Sequence, residues 1–186
     1  HQDAARKIQE EKQSDGYLLG FWRNIFRRAA VEKKGIGSVG FTASVWKRAS
    51  VAVFRPVGVG NNIMISPPVT SELVDTRRLS AGPLSYFNLH GLEDAPDWYG
   101  QRDVNDPAGI DYPVAMRPKD LVKNGKAPQI VFSEACYGGH ILGKKENTSI
   151  ALRFLTIGTL AVVGSTCVSY GSVGLPLIGA DLLANL

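Results

Sequence analysis

The chain has 186 residues, of which 44% are apolar and 20% charged, with a formal net charge of +4. That is enough apolar material for one domain with a packed core, and it excludes a disordered or low-complexity chain. The basic residues are scattered or lie in short groups such as Arg27-Arg28, Lys33-Lys34 and Arg77-Arg78, without the long stripe of a nucleic-acid binder.

His1 to Gly16 is polar and reads as a solvated helix or loose arm. Leu18, Trp22, Ile25, Phe26 and Ala29 then fall at helical spacing, with Arg23, Arg27 and Arg28 opposite. Such a basic amphipathic helix is expected to pack on its own domain, the alternative being a membrane surface or a partner. Arm and helix occupy residues 1–33, and one core is expected over 34–186. Gly35 to Gly40 matches the spacing of a dinucleotide-binding loop, but no strand precedes it and no acid lies in Val57 to Gly60 to hold a ribose, so it reads as a turn. Thr42 or Ser44 can cap a helix running to about Phe54, stopped by Pro56 and Gly58. Strands are predicted over Asn62 to Ser66, Leu84 to Leu89, Gln129 to Ala135 and Leu160 to Ser165. Short helices are predicted over Lys119 to Lys123, behind Pro118, and over Ser149 to Thr156, ended by Gly158. Gly174 to Leu186 reads as a last helix. Strands that are apolar throughout and alternate with helices predict an α/β fold, a mainly parallel sheet sandwiched by helices. No apolar run reaches the roughly 18 residues of a membrane span, and no signal-peptide pattern is visible. The chain opens on His1 rather than Met, so the natural N-terminus is expected upstream and the compartment stays open.

Catalytic groups of open parallel sheets gather beyond the carboxyl ends of the strands. One predicted strand delivers Leu89-His90-Gly91 there, and another delivers Glu134-Ala135-Cys136, followed by Tyr137-Gly138-Gly139. A thiol and an imidazole on one rim supply a nucleophile and a proton carrier for acyl transfer. The His precedes the Cys by 136 − 90 = 46 residues, against roughly 50 in caspases.

These paired motifs resemble the cysteine peptidases of the caspase, legumain, clostripain and gingipain group, with bacterial gingipain-like members nearest in character. The likeness runs from about Asn62 to Leu186 and includes the Ser149 to Thr166 block. It implies a caspase-like fold and a cysteine endopeptidase acting on proteins or peptides, in a bacterial cytoplasm or secreted. Cys136 would form the acyl-enzyme, and His90 would protonate the departing amine and then help activate water. The N–H groups of Gly91 and Cys136 would hold the oxyanion. Glu134, Ser165 and Thr166 would line the pocket for the residue before the scissile bond. An acid at Glu134 suits Arg or Lys, although legumain-like members carry Glu-Ala-Cys and take asparagine. No cofactor is required, and no metal ligand is assigned. Calcium sites occur in gingipain-like enzymes, which leaves room for calcium in the oxygen-rich stretch Asp103, Asn105, Asp106 and Asp111, although Pro107 and Ala108 depart from an EF-hand. Because caspase-like folds continue into at least one more strand and helix, the protein is expected to extend past Leu186, as a second processed chain or a further domain. Arg77-Arg78 would suit self-processing.

Blander readings stand beside these. His90 can be a core histidine and Cys136 a small buried hydrophobe. Glu134 can pair internally with Arg117 or Lys144. Cys136 and Cys167 can bridge, or Cys167 can be structural. The loop Glu93 to Tyr99 can orient the imidazole or lie solvated. Cys136 and His140 have ligand-like spacing without the remaining partners for zinc, and Asn147-Thr148-Ser149 is a sequon that matters only in a eukaryotic secretory protein. For the whole chain the rivals are a catalytically inactive caspase-like regulatory or scaffolding domain and a small-molecule-binding α/β domain.

Overall fold

A computed structural model describes residues 37–79, 82–105, 109–122 and 127–170. The polar arm, the basic amphipathic helix, Gly35, Asp106, Lys123 and the last helix lie outside the described residues.

The chain is an α/β protein built on five parallel strands. They are β1 (Val39–Ala43), β2 (Ile63–Ser66), β3 (Leu84–Asn88), β7 (Ile130–Ser133) and β8 (Ala161–Gly164), in the order β2-β1-β3-β7-β8. Phe41 stands opposite Met64 on one side and Phe87 on the other, Tyr86 opposite Phe132, and Ser133 opposite Gly164. Between β3 and β7 the chain makes a small antiparallel sheet of β4 (His90–Gly91), β5 (Trp98–Tyr99) and β6 (Val114–Met116). The helices are α1 (Lys47–Phe54), α2 (Thr76–Leu79) and α3 (Ile150–Ile157).

Side chains alternate across a strand, and here each face finds its own cover. Phe41, Phe87, Leu89, Val131 and Ala135 face a core completed by Leu79, by Ile150, Phe154 and Ile157 of α3, and by Trp98 and Met116 of the small sheet. Leu84, Tyr86 and Ile130 face the other way, onto Val53 and Phe54 of α1. Buried hydroxyls need partners: Thr42 Oγ1 lies 2.7 Å from Ser50 Oγ, which also accepts from Asn88 Nδ2 at 3.1 Å. That cluster ties β1 and β3 to α1. The ends of α3 follow the expected chemistry, with Ser149 Oγ accepting from Leu152 N–H and Gly158 left-handed at φ 116°.

Three expectations change. Residues Val39 to Ala43 form a fully buried strand, where the glycines suggested only a turn. A Cβ on Gly40 would lie 2.8 Å from Ile63 Cγ1, so this glycine lets β1 and β2 pack closely. Thr42 therefore caps nothing, and the helix begins at Lys47 after a 3-10 turn over Ser44–Trp46 with no side-chain cap. The described part of the next predicted helix, Lys119 to Val122, forms no α-helix. A single 3-10 turn covers Pro118–Asp120, where Arg117 N–H donates to the Asp120 carboxylate at 2.7 Å, and the chain is extended at Leu121. Among the described residues no helix is long and apolar enough to cross a membrane.

Candidate active site

The chain leaves β3 through buried Leu89 and delivers His90 and Gly91 as the first strand of the small sheet. Side chains hold the imidazole. His90 Nε2 lies 2.7 Å from Gln101 Oε1. The Trp46 ring packs against the imidazole at 4.4 Å, and Tyr112 meets it edge-on at 5.4 Å. Gln101 Nε2 donates in turn to Tyr112 Oη at 3.5 Å. Gln101 is itself pinned through its backbone, its N–H donating to Ser66 O at the end of β2 and its carbonyl accepting from Val45 N–H at 3.3 Å.

The sulfur is held differently. Glu134 N–H donates to Phe87 O at 2.8 Å, extending the β3–β7 ladder past Ser133, and the chain then turns, with Gly138 N–H bonded to Ala135 O and His140 N–H to Tyr137 O. Tyr137 has φ 55°, a conformation that costs a non-glycine residue about 1–2 kcal/mol, directly after the cysteine. The turn lies across the end of β8: Gly139 N–H donates to Ser165 O and Tyr137 N–H to Cys167 O, while a Cβ on Gly139 would meet Gly164 O at 2.5 Å. Cys136 is half-buried. Its thiol donates to Ser169 O at 3.2 Å, and Ser169 N–H points back at the sulfur at 3.3 Å. Among the described residues no acceptor is bonded to the Cys136 N–H.

The two motifs meet at Gly91. A Cβ there would stand 2.0 Å from the Cys136 carbonyl oxygen and 3.5 Å from Ala135 Cβ. The residue after the histidine is therefore packed, backbone against backbone, on the cysteine itself. Only glycine permits this approach.

Glu134 projects to the α1 side of the sheet, where Tyr86 Oη donates to its Oε2 at 3.0 Å. Tyr86 is stacked between Phe54 and Phe132. The two cations considered as internal partners are engaged elsewhere. Arg117 bonds Ser71 Oγ and Glu72 and faces Asp97, while Lys144 donates to Glu93 O. Ser165 and Thr166 adjoin the cysteine turn, but the Ser165 hydroxyl is spent on its own loop, donating to Cys167 O and accepting from Cys167 N–H, and Thr166 is exposed. Both cysteines are free, Cys167 at the surface. Burial, with Glu93, Cys167 and Cys136 nearby, pushes the Tyr137 hydroxyl up from its ordinary range.

Other stretches do not join this site. Within the Glu93 to Tyr99 loop, Trp98 is core and pairs with Met116 across β5 and β6, and Asp97 faces Arg117; the group on the imidazole is Gln101, two residues past the loop. Asp103 closes its own turn with Asn105, and Asp111 pairs with Arg102 at 2.7 Å. Among the described residues no group of three His, Cys, Asp or Glu side chains that could hold a metal ion occurs. His140 lies edge-on to Tyr137. Sequence reasoning missed Trp46, Gln101, Tyr112 and Ser169, none of which sits in a motif. Comparison with known protein families, curated proteins and solved structures finds no match to the chain.

Proposed function

We propose that the chain is a cysteine endopeptidase of caspase-like architecture, working through His90 and Cys136. The observation that carries this reading is the backbone contact of Gly91 with Cys136, which supports a histidine and a thiol sharing one rim at the carboxyl ends of neighbouring parallel strands. In the first step the Cys136 thiol passes its proton to His90 as its sulfur attacks the scissile carbonyl carbon, and the oxyanion is met by the N–H groups of Gly91 and Cys136. His90 then gives its proton to the departing amine, and afterwards takes one from the water that releases the acyl group. Glu134 is the pocket acid for an Arg or Lys side chain, with Ser165 and Thr166 on the opposite wall. Its carboxylate lies close to the nucleophile in sequence and is already oriented by Tyr86. Substrates are proteins or peptides, and the chemistry requires no cofactor.

A second reading, a catalytically inactive regulatory or scaffolding domain, draws on the Ser169 backbone, which engages the sulfur both as donor and as acceptor. A thiol-reactive peptidyl probe separates the two. The peptidase reading expects covalent labelling that vanishes in Cys136→Ala and slows by about 10²–10⁴-fold in His90→Ala. A folded protein that never labels would favour the regulatory domain. Glu134→Gln keeps an acceptor for Tyr86 and should remove most of the preference for basic over neutral probes; an unchanged preference would sink the pocket assignment.

A further inference from the structure

We infer that Gln101 is the positioning residue of the site: its side-chain carbonyl fixes His90 with the proton on Nε2, leaving Nδ1 as the nitrogen that exchanges protons with the Cys136 sulfur. This rests on the peptidase reading for the partner of Nδ1, but not for the state of the ring.

The geometry supplies both a short bond and a rigid mount. Nε2 and Oε1 are 2.7 Å apart, within the range of a well-formed hydrogen bond. The ring cannot swing freely between Trp46 and Tyr112. The Gln101 backbone is clamped at its N–H by the end of β2 and at its carbonyl by the turn after β1, so the amide is carried by the sheet rather than by a loose loop. Tyr112 Oη takes the Gln101 Nε2–H, which leaves Oε1 for the imidazole.

The chemistry selects the same orientation. An imidazolium carries N–H on both nitrogens, and His90 must pass through that form to protonate an amine. Oε1 facing Nε2 suits both the neutral Nε2–H ring and the cation. A reversed amide would set an N–H against Nε2, admit only the neutral Nδ1–H ring, and oppose protonation. A nucleophile's base is commonly oriented by a third group. Here that group is a neutral carboxamide, which aims the ring without setting a charge beside it.

The full chain, labelled with ¹⁵N in histidine, decides the matter by the ring-nitrogen resonances, with His90 assigned through their loss in His90→Gln. The expected state of the neutral ring is Nε2–H. Gln101→Leu, which keeps the shape and loses the acceptor, should give mixed tautomers and alkylate Cys136 roughly tenfold more slowly, as the loss of one hydrogen bond predicts. Gln101→Glu, whose carboxylate can only accept, should keep the Nε2–H ring of the unmodified chain; a change of tautomer there would mean that the amide nitrogen had faced the ring. An Nδ1–H ring in the unmodified chain would overturn the inference, as would an identical tautomer and alkylation rate in Gln101→Leu. Should Gln101→Leu fail to fold, the unmodified chain and Gln101→Glu still decide. An Nε2–H ring in a protein that no peptidyl probe labels would overturn the peptidase reading and its assigned Nδ1 partner, and leave the hold of Gln101 on the imidazole standing.

Discussion

The two halves of the candidate site are built from different materials. His90 is held by side chains, Trp46, Gln101 and Tyr112, brought in from the turn after β1 and from both sides of the β5–β6 connection. Cys136 is held by main chain: the Ser169 N–H and carbonyl, the Cys167 carbonyl on the next residue, and a turn of two glycines laid on Gly164. An imidazole must be aimed, and side chains aim it. A sulfur next to an oxyanion site needs peptide N–H groups free to turn inward, and only the backbone can arrange those. Substitution should therefore tune the histidine half in steps and break the cysteine half outright.

The seam between the halves gives the largest expected effect. Gly91→Ala places a Cβ 2.0 Å from the Cys136 carbonyl, a main-chain atom that cannot rotate away. Overpacking of this kind costs about 3 kcal/mol, the upper part of the usual range, readable as a lower urea midpoint, and probe labelling should fall by about a hundredfold or more. Normal labelling in Gly91→Ala would mean that the halves need not touch. Gly139→Ala, 2.5 Å from Gly164 O, tests the cysteine half alone and should cost about 2 kcal/mol, with the His90 tautomer unmoved. Tyr112→Ala tests the histidine half, since this exposed ring meets the imidazole edge-on. Removing one aromatic contact is worth about 1 kcal/mol, so labelling should slow by about fivefold while the urea midpoint shifts little. If Tyr112→Ala damaged the protein as severely as Gly139→Ala, the contrast between the halves would fail.

The same contrast explains what could be read from the sequence. Leu84 to Asn88, Ile130 to Ser133 and Ala161 to Gly164 are short apolar runs between turn residues, and such runs are legible as buried strands. Two of them end shortly before His90 and Cys136, so the placement of these two residues past the strand ends was legible too. The strand Val39 to Ala43 was not, because Gly40 interrupts its apolar run and Thr42 looks like a helix cap; its glycine answers to the neighbouring Ile63, a contact no local pattern records. Gln101 follows a strand of 2 residues, too short for any period to show. Trp46 and Tyr112 stand far apart in sequence and acquire a common role only at the imidazole. The Ser169 contact uses backbone atoms, which carry no sequence signature at all.

The smallest expected effect comes from the support behind the histidine half, where Arg117 joins the end of β6 to two carboxylates of opposite behaviour. The guanidinium, together with nearby backbone and hydroxyl donors, lowers Glu72 from 4.5 to about 2. Burial raises Asp97 above its ordinary 3.8, against the pull of Arg117. A depressed carboxylate adds stability above its unfolded value and loses it as pH falls through the folded one. The advantage of the unmodified chain over Glu72→Gln should thus be present at neutral pH and fade between about 4.5 and about 2. Glu72 is fully exposed, so screening keeps that advantage small. A raised carboxylate does the reverse: its contribution is complete below 3.8 and is lost as pH rises through the folded value. Relative to Asp97→Asn, the unmodified chain should therefore lose ground as pH rises. Urea midpoints measured across the acid range for both variants would show slopes of opposite sign. Parallel slopes would mean that Arg117, rather than burial, governs both carboxylates, and that Asp97 is as well solvated as Glu72.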